Sequence, residues 1–438
     1  MFSYYFSLGL RSLRRNMVLT ALMIAAIAVG IGASMTTLTL FRAMSGDPIS
    51  QKSGQLYTPQ IDNWGPYPRV SSGSPDGLQA QLSYIDAMAL MKGHAAKRQS
   101  AMYAASLSLQ ASDSRQKPFK VQARAAYRDF FPMFDVPFKY GGPWAAADDE
   151  NRGAVVVISK EINDKLFGGG NSVGKTLRLG KATYTVSGVL DDWKPIPRFY
   201  DLNMRPFGDV DAVFLPFTRA IDKQIHNIGS STCDGNGGSG WEGWLHSECI
   251  WLQFWAELPT RTDAQNYRAY LNNYAEEQRR LGRFHWPARS QLRNVMQWLH
   301  YQRVVPSEVG IFILVSFGFL LVCLMNAMGL MLAKIMGRAG DLGVRRALGA
   351  SRGALFAQCL IETSVVGLAG GLLGLLLTAL GLWAVRSMHI KDYSALAHLD
   401  LADIGTAVLL AVAATVLAGL YPTWRAAQVQ PAWQLKVQ

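Results

Sequence analysis

Long apolar runs are unevenly distributed along this chain. Residues 17–41 form the first run and contain no charged side chain. About 20 apolar residues suffice to cross the hydrocarbon core of a bilayer, so this run is long enough for a membrane-spanning helix. Three further runs of similar character begin at Val309, Leu355 and Leu401. The pattern therefore predicts one span, a large polar domain and then three closely spaced spans.

A cleaved signal peptide is the alternative interpretation of the first run, because Arg11, Arg14 and Arg15 precede it. The apolar core of a signal peptide is typically about 7–15 residues long, and this run is longer. We therefore predict an anchor that is retained as the first span.

Lysine and arginine in the short flanks of the spans predict the orientation, because they concentrate on the cytoplasmic side. The segment before the first span and the tail after the fourth contain basic residues and no acid. Both termini and the loop between spans two and three should thus be cytoplasmic, and the large domain should face outward. The net charge of +12 lies largely in such flanks, so we expect no nucleic-acid partner. The basic residues of the loop are Lys334, Arg338, Arg345, Arg346 and Arg352, against one acid, Asp341.

The predicted fold is an α-helical membrane domain of four transmembrane helices, with a large α+β extracytoplasmic domain inserted between helices 1 and 2. The expected boundaries are a cytoplasmic N-terminal segment (1–16), helix 1 (17–41), the extracytoplasmic domain (42–308), helix 2 (309–333), a cytoplasmic loop (334–353), helix 3 (354–385), an outer loop (386–400), helix 4 (401–422) and a cytoplasmic tail (423–438).

Within the large domain, short apolar runs and alternating patterns predict a mixture of strands and helices. Ala154–Ile158 has the pattern of a buried strand, and Ser159 is placed to cap a helix over Lys160–Phe167. Two alternating runs around Gly180 predict a β-hairpin. We also expect an amphipathic helix over Arg289–Arg303 that runs into the second span. Further strands are predicted at Phe119–Tyr127, Val213–Leu215 and Ile250–Trp255, and further helices at Leu82–Met91 and Asp263–Leu281.

The stretch GGNSVGKT, residues 169–176, matches the letters of a phosphate-binding loop, G-x-x-x-x-G-K-T. A true phosphate-binding loop follows a strand and opens a helix, whose N-terminus holds the phosphates. Here the predicted order is a helix, then the glycines, then a hairpin, and the topology places Lys175 outside. We therefore predict a turn with a solvated lysine and no nucleotide site.

Cys233 and Cys249 both fall in the outward-facing domain, where disulfides persist. A bridge between them would close a loop of about 16 residues and stabilise the domain by roughly 3 kcal/mol. We predict this disulfide, with two unpaired thiols as the alternative. Cys323 and Cys359 fall in or near spans, where we expect them to act as small apolar residues.

No residue pattern in the large domain indicates chemistry. Its histidines lack metal-type spacing, and no nucleophile–base pair stands out, so we predict no catalytic, metal or cofactor site in this chain. A cluster of tryptophans leaves two interpretations open. It could form a wall that contacts an apolar or peptidic cargo, or it could serve core packing and a membrane-facing rim. The cluster consists of Trp241, Trp244, Trp251 and Trp255.

The spans themselves contain no evident charge relay, which fits a lever better than a pore. Glu362 is expected at the cytoplasmic interface and Asp403 at the outer end of span four. Small residues allow close approach of helices, and we expect them to pack within one subunit. They are Ala26, Gly30 and Gly32 in span one and Gly367, Gly371 and Gly374 in span three.

The loop between spans two and three reads GDLGVRRALGASRGALFAQCLIE from Gly340 onward. It predicts a short helix over Asp341–Leu348, with Gly349 as its C-cap and Ser351 as the cap of the next helix. Such an amphipathic helix can lie on lipid head groups or insert into a groove of a partner protein.

This loop resembles the signature of MacB/FtsX-type ABC transporter permeases, whose usual form is near R-E-I-G-I-R-R-A-L-G-A. The closing stretch YPTWRAAQVQPAWQL and the stretch from Gly153 to Leu190 resemble two other parts of the same family. Gly340 and Asp341 stand where Arg-Glu is usual, so the polar contact at the start of the short helix departs from the family pattern.

The resemblance implies that the short helix is a coupling helix that sits against a cytoplasmic ATPase. Only 16 residues precede the first span, so we expect the ATPase on a separate polypeptide, where ATP and Mg²⁺ would be used. The resemblance also implies a dimer, with a second copy or a paralogue, in a bacterial inner membrane. The residues expected against the ATPase are Leu342, Gly343, Val344, Arg345, Arg346 and Leu348.

Three functions are compatible with this resemblance. The first is a mechanotransmitting efflux permease, which works with a periplasmic adaptor and an outer-membrane channel on peptides, antibiotics or siderophores. The second is a lipoprotein-releasing subunit. The third is a signalling scaffold that activates a cell-wall hydrolase, for which an outer domain of this size is large.

Overall fold

The computed structural model describes residues 16–63, 76–111, 117–233, 235, 237–387 and 401–427. The chain divides into two compact units, which we call the sheet domain, Gly46–Val304, and the helical unit, formed by the segments on either side of it. Several predicted features lie outside the described residues. They are the basic N-terminal segment with Arg11, Arg14 and Arg15, the stretch with Trp64 and Tyr67, the outer loop 388–400 and the tail beyond residue 427.

The described part of the helical unit contains four helices that are long and apolar enough to cross a membrane. A shorter amphipathic helix follows the second of them. This arrangement, with an α+β domain between the first and second long helices in sequence, confirms the predicted fold class. The helices are α1 (Met17–Ser45), α10 (Ser307–Met336), α11 (Ala339–Ala347), α12 (Arg352–Ser387) and α13 (Leu401–Ala427).

Helix α1 packs against both α10 and α12. Glycines let the backbones approach, because a Cβ atom on Gly30 would lie 2.9 Å from Leu320 of α10. A Cβ on Gly374 of α12 would likewise lie 2.9 Å from Ile31 of α1. Gly30 and Gly374 thus serve contacts inside one chain, as expected for the small residues of these spans.

The sheet domain is built on one mixed sheet. Two strand pairs are parallel, β4 with β9 and β6 with β8, and the other pairs are antiparallel. The strands are β1 (Leu56–Ile61), β2 (Leu82–Ser83), β3 (Arg98–Ala111), β4 (Phe119–Ala126), β5 (Phe138–Gly141), β6 (Val155–Ile158), β7 (Thr176–Leu179), β8 (Ala182–Leu190), β9 (Val213–Pro216), β10 (Ile250–Glu257) and β11 (Ser290–Asn294). The helices are α2 (Tyr84–Gly93), α3 (Phe130–Met133), α4 (Ala146–Glu150), α5 (Lys160–Phe167), α6 (Phe217–Asp222), α7 (Gly240–Leu245), α8 (Arg261–Arg280) and α9 (Val295–Tyr301).

Strand β7 closes part of this sheet into a ring. The main path of the sheet runs β11-β1-β10-β3-β4-β9-β6-β8-β5, and β7 pairs with both β3 and β8. Strands β3, β4, β9, β6, β8 and β7 therefore form a continuous hydrogen-bonded circuit. The hairpin β7–β8 around Gly180, predicted from the sequence, supplies the strand that closes it.

The expected amphipathic helix over Arg289–Arg303 is wrong. Ser290–Asn294 forms strand β11, which pairs along the edge of β1, and only Val295–Tyr301 is helical. The helix does not continue into the second span, because Arg303 adopts a positive φ and Pro306 precedes α10. The strand partner lies more than 200 residues earlier in sequence, so local periodicity gave no sign of it.

A fully buried ion cluster fixes the irregular segment between β8 and β9. Arg124 of β4 donates through Nη2 to Asp201 at 2.7 Å and through Nε to Asp211. Gln122 and Tyr200 also donate to Asp211, at 2.7 and 3.2 Å. Burial alone would raise the pKa of Asp211, but the guanidinium groups of Arg124 and Arg198 outweigh burial and hold it below its ordinary value. The cluster thus anchors this segment to the sheet.

Candidate functional site

The short helix α11 has well-defined ends. Gly349 adopts φ +100° just after the helix, a conformation that favours glycine, so the chain reverses there. The hydroxyl of Ser351 accepts a hydrogen bond from the backbone N–H of Ala354 at 3.1 Å and caps α12, as predicted. Gly349 ends α11 and Ser351 caps α12, so that a short helix lies between two long ones.

An apolar pair on α11 faces away from the rest of the chain. Val344 is 57% exposed and Leu348, at the helix end, is 83% exposed. The two residues are four apart, so they lie on one face of the helix. Gly343 is half-buried, and the side chain of Leu342 lies outside the described part of the chain. Exposed leucine and valine at helical spacing are suited to insertion in an apolar groove.

Two polar contacts hold α11 against α12. Arg345, one of the residues expected to face an ATPase, donates to the side-chain oxygen of Gln358 at 2.9 Å. Arg338, immediately before α11, contacts the carboxylate of Glu362 at 3.3 Å. Arg345 therefore has a partner within its own chain, and the apolar face with Val344 and Leu348 is left pointing outward.

The largest difference from the sequence analysis concerns Lys334. The boundaries expected from the sequence place Lys334 in the cytoplasmic loop, but it lies in the last turn of α10 with a side chain only 1% exposed. Its ammonium lies 2.9 Å from Glu362 of α12 and donates to the hydroxyl of Thr20 of α1 at 3.3 Å. We call Thr20, Lys334, Arg338 and Glu362 the Lys334 joint.

A faint signal for this joint existed in the sequence. Lys334 and Arg338 are four residues apart, and Glu362 is the acid nearest a core position in span three. Nothing in the sequence showed that Lys334 turns inward, because a lysine at the end of a span usually extends to water.

A second polar contact joins helices at the opposite end of α1. Arg42 lies 3.3 Å from Asp403 of α13 and donates to the hydroxyl of Thr406 at 3.0 Å. Arg42 is partly exposed, whereas Lys334 is enclosed. The helical unit therefore has a polar contact near each end of α1.

Several backbone N–H groups of the glycine-rich loop before β7 are already used within the sheet domain. The N–H of Gly174 donates to Val186 at 2.9 Å, and that of Lys175 donates to Ser172 at 3.0 Å. The N–H of Val173 is taken by the side chain of Asn171 at 3.0 Å. The loop follows helix α5 and precedes a strand, the reverse of a phosphate-binding loop. The interpretation as a turn is supported by this geometry.

The ammonium of Lys175 lies 5.2 Å from the ring centre of Phe167. This is a surface contact within the sheet domain, and the lysine is otherwise exposed. It is therefore not directed into a cavity.

Cys233 and Cys249 are joined as a disulfide in the structure. The bridge joins the segment that follows α6 to the residue immediately before β10. The free cysteines among the described residues, Cys323 and Cys359, are buried in the helical unit.

The tryptophan cluster separates into two groups. Trp251 and Trp255 are buried in the sheet domain, and Trp244 is half-buried beside the disulfide. Only Trp241 lines an open cavity of about 290 Å³, which also has Tyr84, Tyr127 and Glu242 in its walls. Core packing thus accounts for Trp251 and Trp255.

Comparisons with known proteins agree with these features. The MacB-like periplasmic core domain family matches residues 20–273, and the FtsX-like permease C-terminal family matches residues 313–431. The macrolide export ATP-binding/permease protein MacB of Pasteurella multocida is 22% identical over 94% of this chain and 55% of its own length. The probable syringafactin export ATP-binding/permease protein SyfD of Pseudomonas syringae is 24% identical over 69% of this chain and 40% of its own length.

Solved structures resemble this chain only distantly. The periplasmic region of MacB from Actinobacillus actinomycetemcomitans has 14% identity and a TM-score of 0.37, over 56% of this chain and 92% of that one. The extracellular domain of the transporter YknZ has 12% identity and a TM-score of 0.34, over 54% of this chain and 100% of that one. The chain spans about half the length of the curated relatives it matches. By the two family matches, the chain belongs to the MacB/FtsX-type ABC transporter permeases.

Proposed function

We propose that this chain is a permease subunit driven by a separate cytoplasmic ATPase, which docks on helix α11. The observation that carries the proposal is the exposed pair Val344 and Leu348 on a helix held between two apolar helices. Because Arg345 and Arg338 bind residues of α12, α11 is fixed to α12, and force applied to its apolar face would reach the long helices.

The orientation proposed from the basic flanks places α11 and both termini in the cytoplasm and the sheet domain on the outer side. The disulfide between Cys233 and Cys249 supports this side for the sheet domain, because disulfides persist in oxidising compartments. The chain would then act as a dimer that transmits ATP-driven movement to the sheet domain without a route through the membrane.

We further propose export of a periplasmic substrate of the peptide, antibiotic or siderophore type, with an adaptor and an outer-membrane channel as partners. The related proteins carry macrolide and syringafactin export in their names, which supports an amphipathic cargo. Lipoprotein release and hydrolase activation are the alternatives that a cargo assay separates. ATP and Mg²⁺ would be bound by the partner ATPase.

The docking proposal is tested by measuring the affinity of the genomically adjacent ATPase for the chain in nanodiscs. Val344→Asp/Leu348→Asp should weaken binding about tenfold or more, because apolar anchors at a helical interface carry most of its binding energy. The matched control is Val173→Asp/Leu281→Asp, which places the same substitutions at exposed apolar positions of the sheet domain. Equal affinity for all three proteins would overturn docking through α11.

A further inference from the structure

We infer that the Lys334 joint is a positioning element, which transmits movement of α11 to helix α1. The inference rests on the proposed function, because it assumes that an ATPase moves α11. The sequence indicated no coupling role for the residues of the Lys334 joint. These residues act within the chain, by transmitting movement, and not at the surface of the ATPase.

The burial of Lys334 is the first observation. A lysine near the end of an apolar helix ordinarily extends its ammonium to water. Here the side chain is 1% exposed and turns into the helical bundle. Ionisable groups inside membrane helices are costly, face the bundle interior and pair with one another, so they commonly mark functional positions.

The geometry of Glu362 is the second observation. One oxygen of its carboxylate lies 2.9 Å from Lys334 and 3.3 Å from Arg338. These two cations stand on either side of Gly337, where α10 ends and α11 is about to begin. A single acid on α12 thus holds both sides of the break, and this fixes the angle between α10 and α11.

The contact with Thr20 is the third observation. The ammonium of Lys334 donates to Thr20 at 3.3 Å, and Thr20 lies in the first turn of α1. Helix α1 ends at Ser45, and the sheet domain begins at the next residue. The joint therefore connects the α11 junction to the helix that continues directly into the sheet domain.

A purely structural ion pair makes a different prediction from a positioning one. Replacing both members of a buried pair by neutral residues of similar size is often neutral for stability, whereas removing one member is strongly destabilising. Lys334→Met/Glu362→Gln should therefore fold, because Arg338, which also loses its contact with Glu362, has a side chain 18% exposed to water. If the joint transmits movement, this folded variant will still lose transmission.

The experiment uses the full chain with its adjacent ATPase in nanodiscs. Spin labels at Val29 of α1 and Leu417 of α13, both exposed, report the distance between these helices with and without ATP. Cys323 and Cys359 are replaced by Ala so that only the introduced cysteines are labelled. ATPase binding and ATP hydrolysis are measured on the same samples.

In the unchanged chain, ATP should alter the α1–α13 distance. Lys334→Met/Glu362→Gln should bind the ATPase, which should still hydrolyse ATP, but the distance change should be at least about fivefold smaller. Lys334→Arg, which keeps a cation opposite Glu362 and leaves the Arg338 contact in place, should retain the change. Arg42→Met/Asp403→Asn, the matched control at the other end of α1, should leave transmission from α11 intact.

Three other outcomes would each contradict one part of this inference or of the proposed function. A neutral variant that transmits like the unchanged chain overturns the inference and leaves the proposed function standing. A Lys334→Arg chain that folds and binds the ATPase but shows no movement overturns the role of the charge pair. If the unchanged chain binds no ATPase, the proposed function is wrong, and the inference that rests on it is wrong as well.

Discussion

Both units of this protein enclose a cation that pairs with a carboxylate group, but in different settings. In the sheet domain, Arg124 contacts Asp201 and Asp211 within strands and loops that backbone hydrogen bonds already fix. In the helical unit, Lys334 meets Glu362 and Thr20 on helices that pack side by side without sharing a backbone hydrogen-bond ladder. The same chemistry therefore fixes a fold in one unit and joins separate elements in the other.

The two settings differ in whether a polar cluster can take part in movement. Backbone hydrogen bonds between strands resist relative displacement, so the Arg124 cluster adds rigidity to a rigid frame. Helices exchange no backbone hydrogen bonds with their neighbours, so a few side-chain contacts determine which helices move together. Removing one charge from the Arg124 cluster and measuring the stability of the sheet domain tests this difference.

Arg124→Met should have the largest effect on stability. It leaves two buried carboxylates without their cation, which typically costs about 3–5 kcal/mol. For a domain of this size, a loss of that order lowers the Tm by roughly 10 °C. Calorimetry of the full chain in detergent measures the sheet-domain transition. An unchanged Tm would show that the Arg124 cluster does not anchor its segment.

The neutral triple variant Arg124→Met/Asp201→Asn/Asp211→Asn is the matched control. It removes the unpaired charges, so it should recover much of the lost Tm. A triple variant as unstable as Arg124→Met would assign the loss to packing of the arginine stem and not to charge.

Loss of the disulfide should have the next largest effect. The bridge has a sequence separation of 16, and a loop of that size corresponds to about 3 kcal/mol or less. Cys233→Ala/Cys249→Ala should lower the Tm of the sheet domain by a few degrees. Reductant should lower the Tm of the unchanged chain and not that of the variant. Cys323→Ala/Cys359→Ala controls for cysteine content, and an equal response to reductant in all forms would contradict the bridge.

A change of pH should have a smaller effect on the stability of the sheet domain, and it should act through the carboxyl group of Asp149. Burial raises the pKa of Asp149 to about 6, although the Arg128 backbone N–H and the Trp144 indole donate to it. Nearby Asp129 raises its pKa further, and the charge of Arg128 lowers it. A raised pKa contributes stability that is complete below the unfolded value near 3.8 and is lost as pH rises through about 6.

The Tm of the sheet domain should therefore rise as the pH falls from about 7 to about 5. Asp149→Asn should reduce this dependence, because the amide does not titrate. Asp211, whose pKa is lowered, opposes the trend only in stronger acid. A Tm that falls over the same range in the unchanged chain, or a slope that Asp149→Asn leaves intact, would contradict the assignment.

Lys175→Ala should have the smallest effect. Its ammonium contacts only the ring of Phe167 among the described side chains, and such an exposed contact is worth about 0.5 kcal/mol. Tm and ATP hydrolysis with the partner should both stay close to those of the unchanged chain. Lys181→Ala, at the neighbouring hairpin turn, is the matched control.

The sequence predicted elements whose signal is local. The helix Lys160–Phe167, its Ser159 cap and the hairpin around Gly180 follow from spacing and turn residues, and all are confirmed. It did not predict β11 or the ring closed by β7 and β3, because those pairings join distant segments.

The candidate site divides in the same way. The short helix and its capping residues Gly349 and Ser351 were predicted from residue types and their spacing. The inward turn of Lys334 was not, because its partners Thr20 and Glu362 come from two other helices. The role of Val344 and Leu348 at an ATPase stays a prediction.

The proposal that a separate ATPase docks on α11 and drives this chain is tested by the ATP hydrolysis rate in proteoliposomes. The rate is measured for the chain alone and with its adjacent ATPase. The account predicts no hydrolysis by the chain alone, stimulation of the partner by the unchanged chain, and loss of that stimulation in Val344→Asp/Leu348→Asp but not in Lys175→Ala. Hydrolysis by the chain alone that Lys175→Ala abolishes would contradict the account, because the glycine loop would then be a nucleotide site.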